Sequence, residues 1–162
     1  MQLVIADTSP INYLILIGRI GLLPRLFERV ALPSAVEREL ADLDAPLDVR
    51  NWIANPPSWL ELHPTLEFGN DPVEGLDEGE SAAIALAEFL HADLLLIDER
   101  AGFRAAKKRG LCVTGTLGVL DLAAERGLID FAEAIHRLEN TSFWLPTSLL
   151  ETLRAKHNKA RG

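Results

Sequence analysis

Two aspartates and two glutamates stand where carboxylates are expensive. Asp7 ends the short apolar run Leu3–Ala6, and Asp98 ends the longer run Ala92–Ile97. Glu39 falls on the same helical stripe as Val36, Leu40 and Leu43, and Glu80 on a stripe with Ala83, Ile84 and Ala87. A charge within an apolar stripe is costly unless something pairs with it. Taken singly, Asp7 reads equally as a solvated turn residue, and Glu80 as a first-turn acid complementing a helix dipole. The set of four is harder to explain by packing. Carboxylates converging in a low-dielectric cleft repel unless they are protonated or neutralised by cations. Hard divalent ions are the matching chemistry, because Mg²⁺ and Mn²⁺ prefer oxygen ligands and retain waters for reaction. Asp7, Glu39, Glu80 and Asp98 are therefore the candidate metal-binding and catalytic residues.

Other chemistries find less support. Four scattered histidines and the single Cys112 show no zinc-ligand spacing. No serine sits in a G-x-S-x-G elbow, and neither a Walker loop nor G-x-G-x-x-G occurs. Gly115-Thr116-Leu117-Gly118 is too short and generic for a phosphate loop. Arg100, Arg104 and Lys107 begin a basic segment that could gather phosphates, although a charge run of this kind is more often a solvated helix face.

The elements that must position the acids follow from periodicity and breakers. Leu3–Ala6 is expected to be a buried strand turning directly into a helix over Ile11–Ile17, with Ser9 as N-cap and Pro10 at the first helical position. A short helix is expected over Ile20–Phe27, then a strand Val30–Leu32 stopped by Pro33, with Ser34 capping the Glu39 helix. Leu47–Ala54 reads as a helix, Trp59–Leu62 as an edge strand and Leu66–Leu76 as a long loop. The Glu80 helix should span Asp77–Leu90. Ala92–Ile97 reads as a central parallel strand buried on both faces, and Leu111–Val113 as a last short strand. Helices are expected over Leu117–Arg126, Phe131–Leu138 and Pro146–His157. Alternating strands and helices imply an α/β layered fold with a mainly parallel sheet, in which ligands collect at the carboxyl ends of strands.

A chain of 162 residues, 48% of them hydrophobic, is expected to form one domain over 1–162. Sixteen basic and twenty-four acidic residues give a net charge of −8, which argues against broad electrostatic adhesion to nucleic acid. Bound cations would invert that local argument. One cysteine suits a reducing compartment, and no signal core or membrane-length apolar run is apparent, so a cytoplasmic location is the expectation.

Several segments together resemble PIN-like proteins: Val4-Ile5-Ala6-Asp7-Thr8-Ser9-Pro10, Glu39-Leu40, Leu76 to Ile84, and Leu95-Leu96-Ile97-Asp98-Glu99. The likeness is to a VapC-related, toxin-like group, and Gly115 to Leu120 also fits it. It covers about residues 1–130, with the helices of 131–162 less informative. The resemblance implies a three-layer α/β/α fold with a five-stranded, mainly parallel sheet and a Mg²⁺- or Mn²⁺-dependent ribonuclease. Carried over by position, Asp7, Glu39, Glu80 and Asp98 form its acidic metal site, with Thr8 and Thr116 supplying supporting hydroxyls. Many members carry aspartate where this chain has Glu80, and Glu99 adds a carboxylate beside Asp98.

The function expected is a metal-dependent endoribonuclease acting as the toxin of a toxin–antitoxin pair. Its partners would be RNA, a cognate antitoxin and a second copy of the chain, the last suggested also by the apolar Phe143-Trp144-Leu145. A different class remains open: a catalytically silent module that captures a basic peptide in the acidic cleft. A phosphatase with an aspartyl nucleophile is weaker, because Asp7 lacks an acid two residues later.

Overall fold

In the computed structural model, residues 2–64 and 75–161 are described, with side chains through residue 159. The loop expected over Leu66–Leu76 lies mostly outside them. The chain begins with β1 (Leu3–Ala6) and α1 (Thr8–Leu16), followed by α2 (Leu22–Leu26), β2 (Arg29–Pro33), α3 (Ser34–Ala41) and α4 (Leu47–Ala54). Next come β3 (Leu60–His63), α5 (Glu78–Phe89), β4 (Leu94–Leu96), α6 (Arg100–Lys108) and β5 (Val113–Thr114). Three helices end the chain: α7 (Thr116–Glu125), α8 (Phe131–Glu139) and α9 (Thr147–Arg161).

The strands form one five-stranded sheet in the order β3-β2-β1-β4-β5, and every pairing is parallel. Its layers follow from strand alternation. Val4 and Ala6 of β1, Val30 and Leu32 of β2 and Leu96 of β4 face a core shared with α1, α2, α3, α4, α7, α8 and α9. Leu3, Ile5, Ala31, Leu95 and Ile97 face the opposite way, into a smaller core under α5 and α6. A sheet buried on both sides needs the nearly unbroken apolar runs seen in β1 and β4. The three-layer α/β/α architecture is thus the one expected.

Several boundaries differ, each for a local reason. Asp7, not Ser9, is the residue at which the chain passes from extended backbone into α1, so Pro10 is the third helical residue. Proline is tolerated there because first-turn N–H groups have no intrahelical partner. Ser34 is likewise the first residue of α3 and Pro33 precedes it as the last residue of β2. Helix α3 ends at Ala41, so Leu43 leaves the stripe and is 85% exposed. The last strand sits one to two residues later than expected. Leu95 N–H donates to the Cys112 carbonyl and Ile97 N–H to that of Thr114, which sets the ladder there. Among the described residues no helix is long and apolar enough to cross a membrane.

Candidate active site

The sheet reverses its direction of growth between β1 and β4, and a crevice opens outside the carboxyl ends of strands at such a point. Asp7 N–H donates to the Leu96 carbonyl at 2.9 Å, which carries the pairing of β1 with β4 to the crevice edge. Asp7, Thr8, Glu39, Glu80, Asp98 and Glu99 all line one cleft of about 740 Å³ there. Four acids predicted from separate segments therefore share a single cavity.

Asp7 is the most deeply placed, at 4% exposure, and its Oδ1 is buried with no hydrogen-bond partner. Burial, together with the nearby charges of Asp77, Glu80 and Glu39, pushes its carboxyl up to about 8. Glu39 reaches the cleft from α3. It accepts hydrogen bonds from the Thr8 hydroxyl and, at 3.2 Å, from the Gly79 N–H. Its carboxyl is also raised, first by burial and then by Asp77 and Glu78, against the lowering effect of those two bonds. Glu80 sits in the first turn of α5 in a reciprocal cap. Its N–H donates to Asp77 Oδ1 at 2.8 Å, and its Oε2 accepts from the Asp77 N–H at 3.3 Å. Burial, then the charges of Asp77 and Glu99, push Glu80 up to about 7.

Asp98 is held differently. Its Oδ1 accepts from the Thr116 N–H at 2.7 Å, and its Oδ2 from the hydroxyls of Thr116 and Ser9 at 2.7 and 2.8 Å. Thr116 is fully buried at the start of α7, so it fixes the orientation of Asp98 from beneath. Glu99 caps α6 by accepting from the Gly102 N–H at 3.1 Å. Among the described residues, no three His, Cys, Asp or Glu side chains form a ready-made metal cage.

The basic residues are placed elsewhere. Arg100, Arg104 and Lys107 are exposed on α6, with the Lys107 ammonium 5.3 Å from the centre of the Phe103 ring. None of the three lines the cleft, although Phe103 does. Sequence reasoning passed over two acids that line the cleft, Asp121 and Asp77, and Asp77 also raises Asp7, Glu39 and Glu80. The signal for it was the Asp77-x-x-Glu80 spacing of a capping box. Ser9 was read as a cap, and its hydroxyl serves Asp98 instead. The far wall, Phe143, Trp144, Pro146, Leu149 and Leu153, comes from the segment leading into α9 and from α9 itself.

The chain is thus a three-layer α/β/α protein with carboxylates gathered where the central strands of a parallel sheet end. The chain belongs to the PIN-domain family: the family's model, DUF3368, matches residues 3–159. PIN domains are generally nucleases and typically use divalent metal ions. The fold is similar to that of a PilT N-terminus domain protein from the hyperthermophilic archaeon Sulfolobus solfataricus P2, at a TM-score of 0.56 and 16% identity. That likeness covers 76% of this chain and 95% of the other. No curated protein matches the chain significantly.

Proposed function

We propose that the chain is a divalent-metal-dependent endoribonuclease. The observation carrying this reading is Asp7: a carboxylate oxygen buried without a partner, in a group pushed up to about 8 by burial and three neighbouring acids. An orphaned acceptor among like charges is what a cation would satisfy, and an all-oxygen donor set fits Mg²⁺ or Mn²⁺. Asp7, Glu39, Glu80 and Asp98 would hold it. When bound, the ion supplies Lewis-acid stabilisation of phosphoryl charge and eases deprotonation of water.

The protein's own groups do the rest. Thr8 and the Gly79 N–H orient Glu39, and Ser9 and Thr116 orient Asp98, so that neither acid has to reorganise when substrate arrives. Burial and the charges of Asp77 and Glu99 push Glu80 up to about 7 in the metal-free cleft, so it, like Asp7, would take up a proton or a cation rather than stand as a bare carboxylate. Arg100, Arg104 and Lys107 would meet RNA phosphates outside the cleft. The toxin role, an antitoxin partner and a homodimer belong to the same reading and rest on the resemblance to VapC-related proteins. Phe143 and Leu145 pack toward the core and lend the dimer no support.

The test is cleavage of an RNA panel with Mg²⁺, with Mn²⁺ and with chelator. Cleavage that needs the ion and is lost in Asp7→Asn is expected; chelator-resistant cleavage would overturn the mechanism. The second reading is a catalytically silent module that binds a basic peptide. It is favoured by the acidity of the cleft, where Asp77, Glu99 and Asp121 line the cavity beside the four candidate ligands. Metal-independent peptide binding with no cleavage of any RNA would establish it.

A further inference from the structure

Trp144 is 73% exposed at the rim of the acidic cleft, and the segment bearing it is pinned on both sides. The Thr141 N–H and hydroxyl both donate to the Leu138 carbonyl, at 3.0 and 2.6 Å, and the Phe143 N–H donates to Thr141 Oγ1 at 3.1 Å. The rings of Phe143 and Tyr13 meet edge to face at 5.0 Å, and the Tyr13 and Ser142 hydroxyls lie 2.9 Å apart. Phe143 and Leu145 turn toward the core while Trp144, between them, turns outward. A large apolar ring held in water by an ordered segment is a cost that core packing does not explain.

The cleft has two unlike walls. Carboxylates from the end of β1, from α3, α5 and the end of β4 make one, and Trp144, Pro146, Leu149 and Leu153, with Asp121 of α7 beside them, contribute to the other. Among the described residues that line it there is no lysine or arginine. A nucleic acid strand inside it meets no ammonium or guanidinium from these residues. Besides neutral donors such as Asn12, its grip would come from cations at the acids and from its bases on the apolar wall. An indole face matches any base in size and π character, and unpaired bases are the ones free to stack. Because the walls are separate, one strand can engage both, with a phosphate toward the acids and a neighbouring base on the ring. A duplex keeps its base faces covered.

We infer that Trp144 is a stacking platform for an unpaired base of the RNA. This rests on the ribonuclease reading and adds to it a positioning residue.

The experiment measures tryptophan fluorescence in stopped flow with Mg²⁺, using a degenerate pool of single-stranded RNA of about ten nucleotides. Trp52 and Trp59 lie against each other, 5.9 Å between ring centres, so subtracting the signal of Trp144→Phe isolates position 144. Quenching by the pool is expected, with little from an abasic pool or from duplex. Trp144→Ala should weaken binding by roughly 5- to 100-fold, and Trp144→Phe should retain most of it. The two readings fail distinguishably. RNA cleavage by the parent without quenching at Trp144 overturns the platform alone, whereas neither cleavage nor binding of RNA overturns both. Equal quenching by the abasic pool, quenching by an arginine-rich peptide but not by RNA, or a change of oligomeric state as the only effect of Trp144→Ala would each assign the ring to another partner.

Discussion

Gly79 lies against Glu39 so closely that a Cβ at position 79 would stand 2.5–2.7 Å from the Glu39 carboxyl group. The same closeness lets the Gly79 N–H donate to Oε1. The first turn of α5 thus positions an acid carried by α3, and only a residue without a side chain allows it. Gly79→Ala should displace the tip of Glu39, which is flexible, while leaving the backbone in place. The expected outcome is a tenfold or greater loss of RNA cleavage, by about 1.4 kcal/mol in the barrier, with a nearly unchanged melting temperature. Cleavage rates beside thermal melts check this, and an equal fall in both would make Gly79 structural instead.

Asp7→Asn keeps the shape of the buried side chain and removes its ionisable group, and with it the cost of protonating that group on folding. In chelator the mutant should be at least as heat-stable as the parent, and its advantage should shrink or reverse in millimolar Mg²⁺, which stabilises only the parent. Paired melts in the two conditions decide. An N-cap role for Asp7 would instead cost about 0.5–2 kcal/mol whatever the metal, and no cap hydrogen bond from its side chain is present.

The pH dependence of that comparison has a definite sign. Asp7 is raised in the folded protein from 3.8 to about 8, so folding takes up a proton between those values. Its contribution to stability is fully present below the unfolded value and is lost as pH rises through about 8. In chelator the melting difference should therefore widen in favour of Asp7→Asn as pH is raised from about 5 to about 9. A constant difference across that range would mean that Asp7 is not buried as a neutral acid.

Thr116→Val removes one hydroxyl from a fully buried side chain and leaves Asp98 Oδ2 with Ser9 as its remaining hydroxyl donor. The loss should cost about 1–3 kcal/mol of stability. It should also weaken Mg²⁺ activation by roughly 10–100-fold, as for other residues that orient a metal ligand. Titration of cleavage against Mg²⁺ separates this from a general loss of folded protein. Thr116→Ser should restore most of the metal dependence.

The apolar wall depends on how α9 is fastened. His157 stacks on Phe131 with ring centres 4.5 Å apart and meets Asp121 Oδ1 at 2.8 Å through Nε2, while Lys156 binds Asp121 and Glu125. Asp121→Ala removes the common partner on α7. The expected result is a loss of about 1–2 kcal/mol with faster amide exchange confined to α9, measured by hydrogen exchange with mass spectrometry.

What the sequence disclosed is what hydrophobic burial dictates. The runs ending at Asp7 and Asp98 marked the two central strands, because a strand covered on both faces has no polar positions to interrupt it. Glu80 among Ala83, Ile84 and Ala87 was legible for the same reason. What could not be read is which groups share an end of the sheet. Asp77 joined the site through a capping box that looks like any other helix start. Ser9 carries no mark of a partner 89 residues away. The second wall was hidden more completely, since Phe143-Trp144-Leu145 has no periodicity that says which ring turns outward. The basic run at Arg100, Arg104 and Lys107 was conspicuous, yet helix geometry leaves it outside the cleft.

The pairing of β1 with β4 also governs how the protein comes into being on a ribosome. The Leu3 N–H is satisfied by Asp93 Oδ2, a residue 90 positions later, and Val4, Ile5 and Ala6 pair with Leu94, Leu95 and Leu96. At synthesis rates of about 5–20 residues per second, the first strand waits several seconds with one edge bare after its own segment has emerged. Through that interval the nascent chain is a sticky, half-zipped sheet that a chaperone or a neighbouring nascent chain can capture. The acids from β1, α3 and α5 also lack Asp98 throughout. The full set of four acids therefore assembles late in translation, so premature termination before β4 releases a product without Asp98 and without the crevice between β1 and β4.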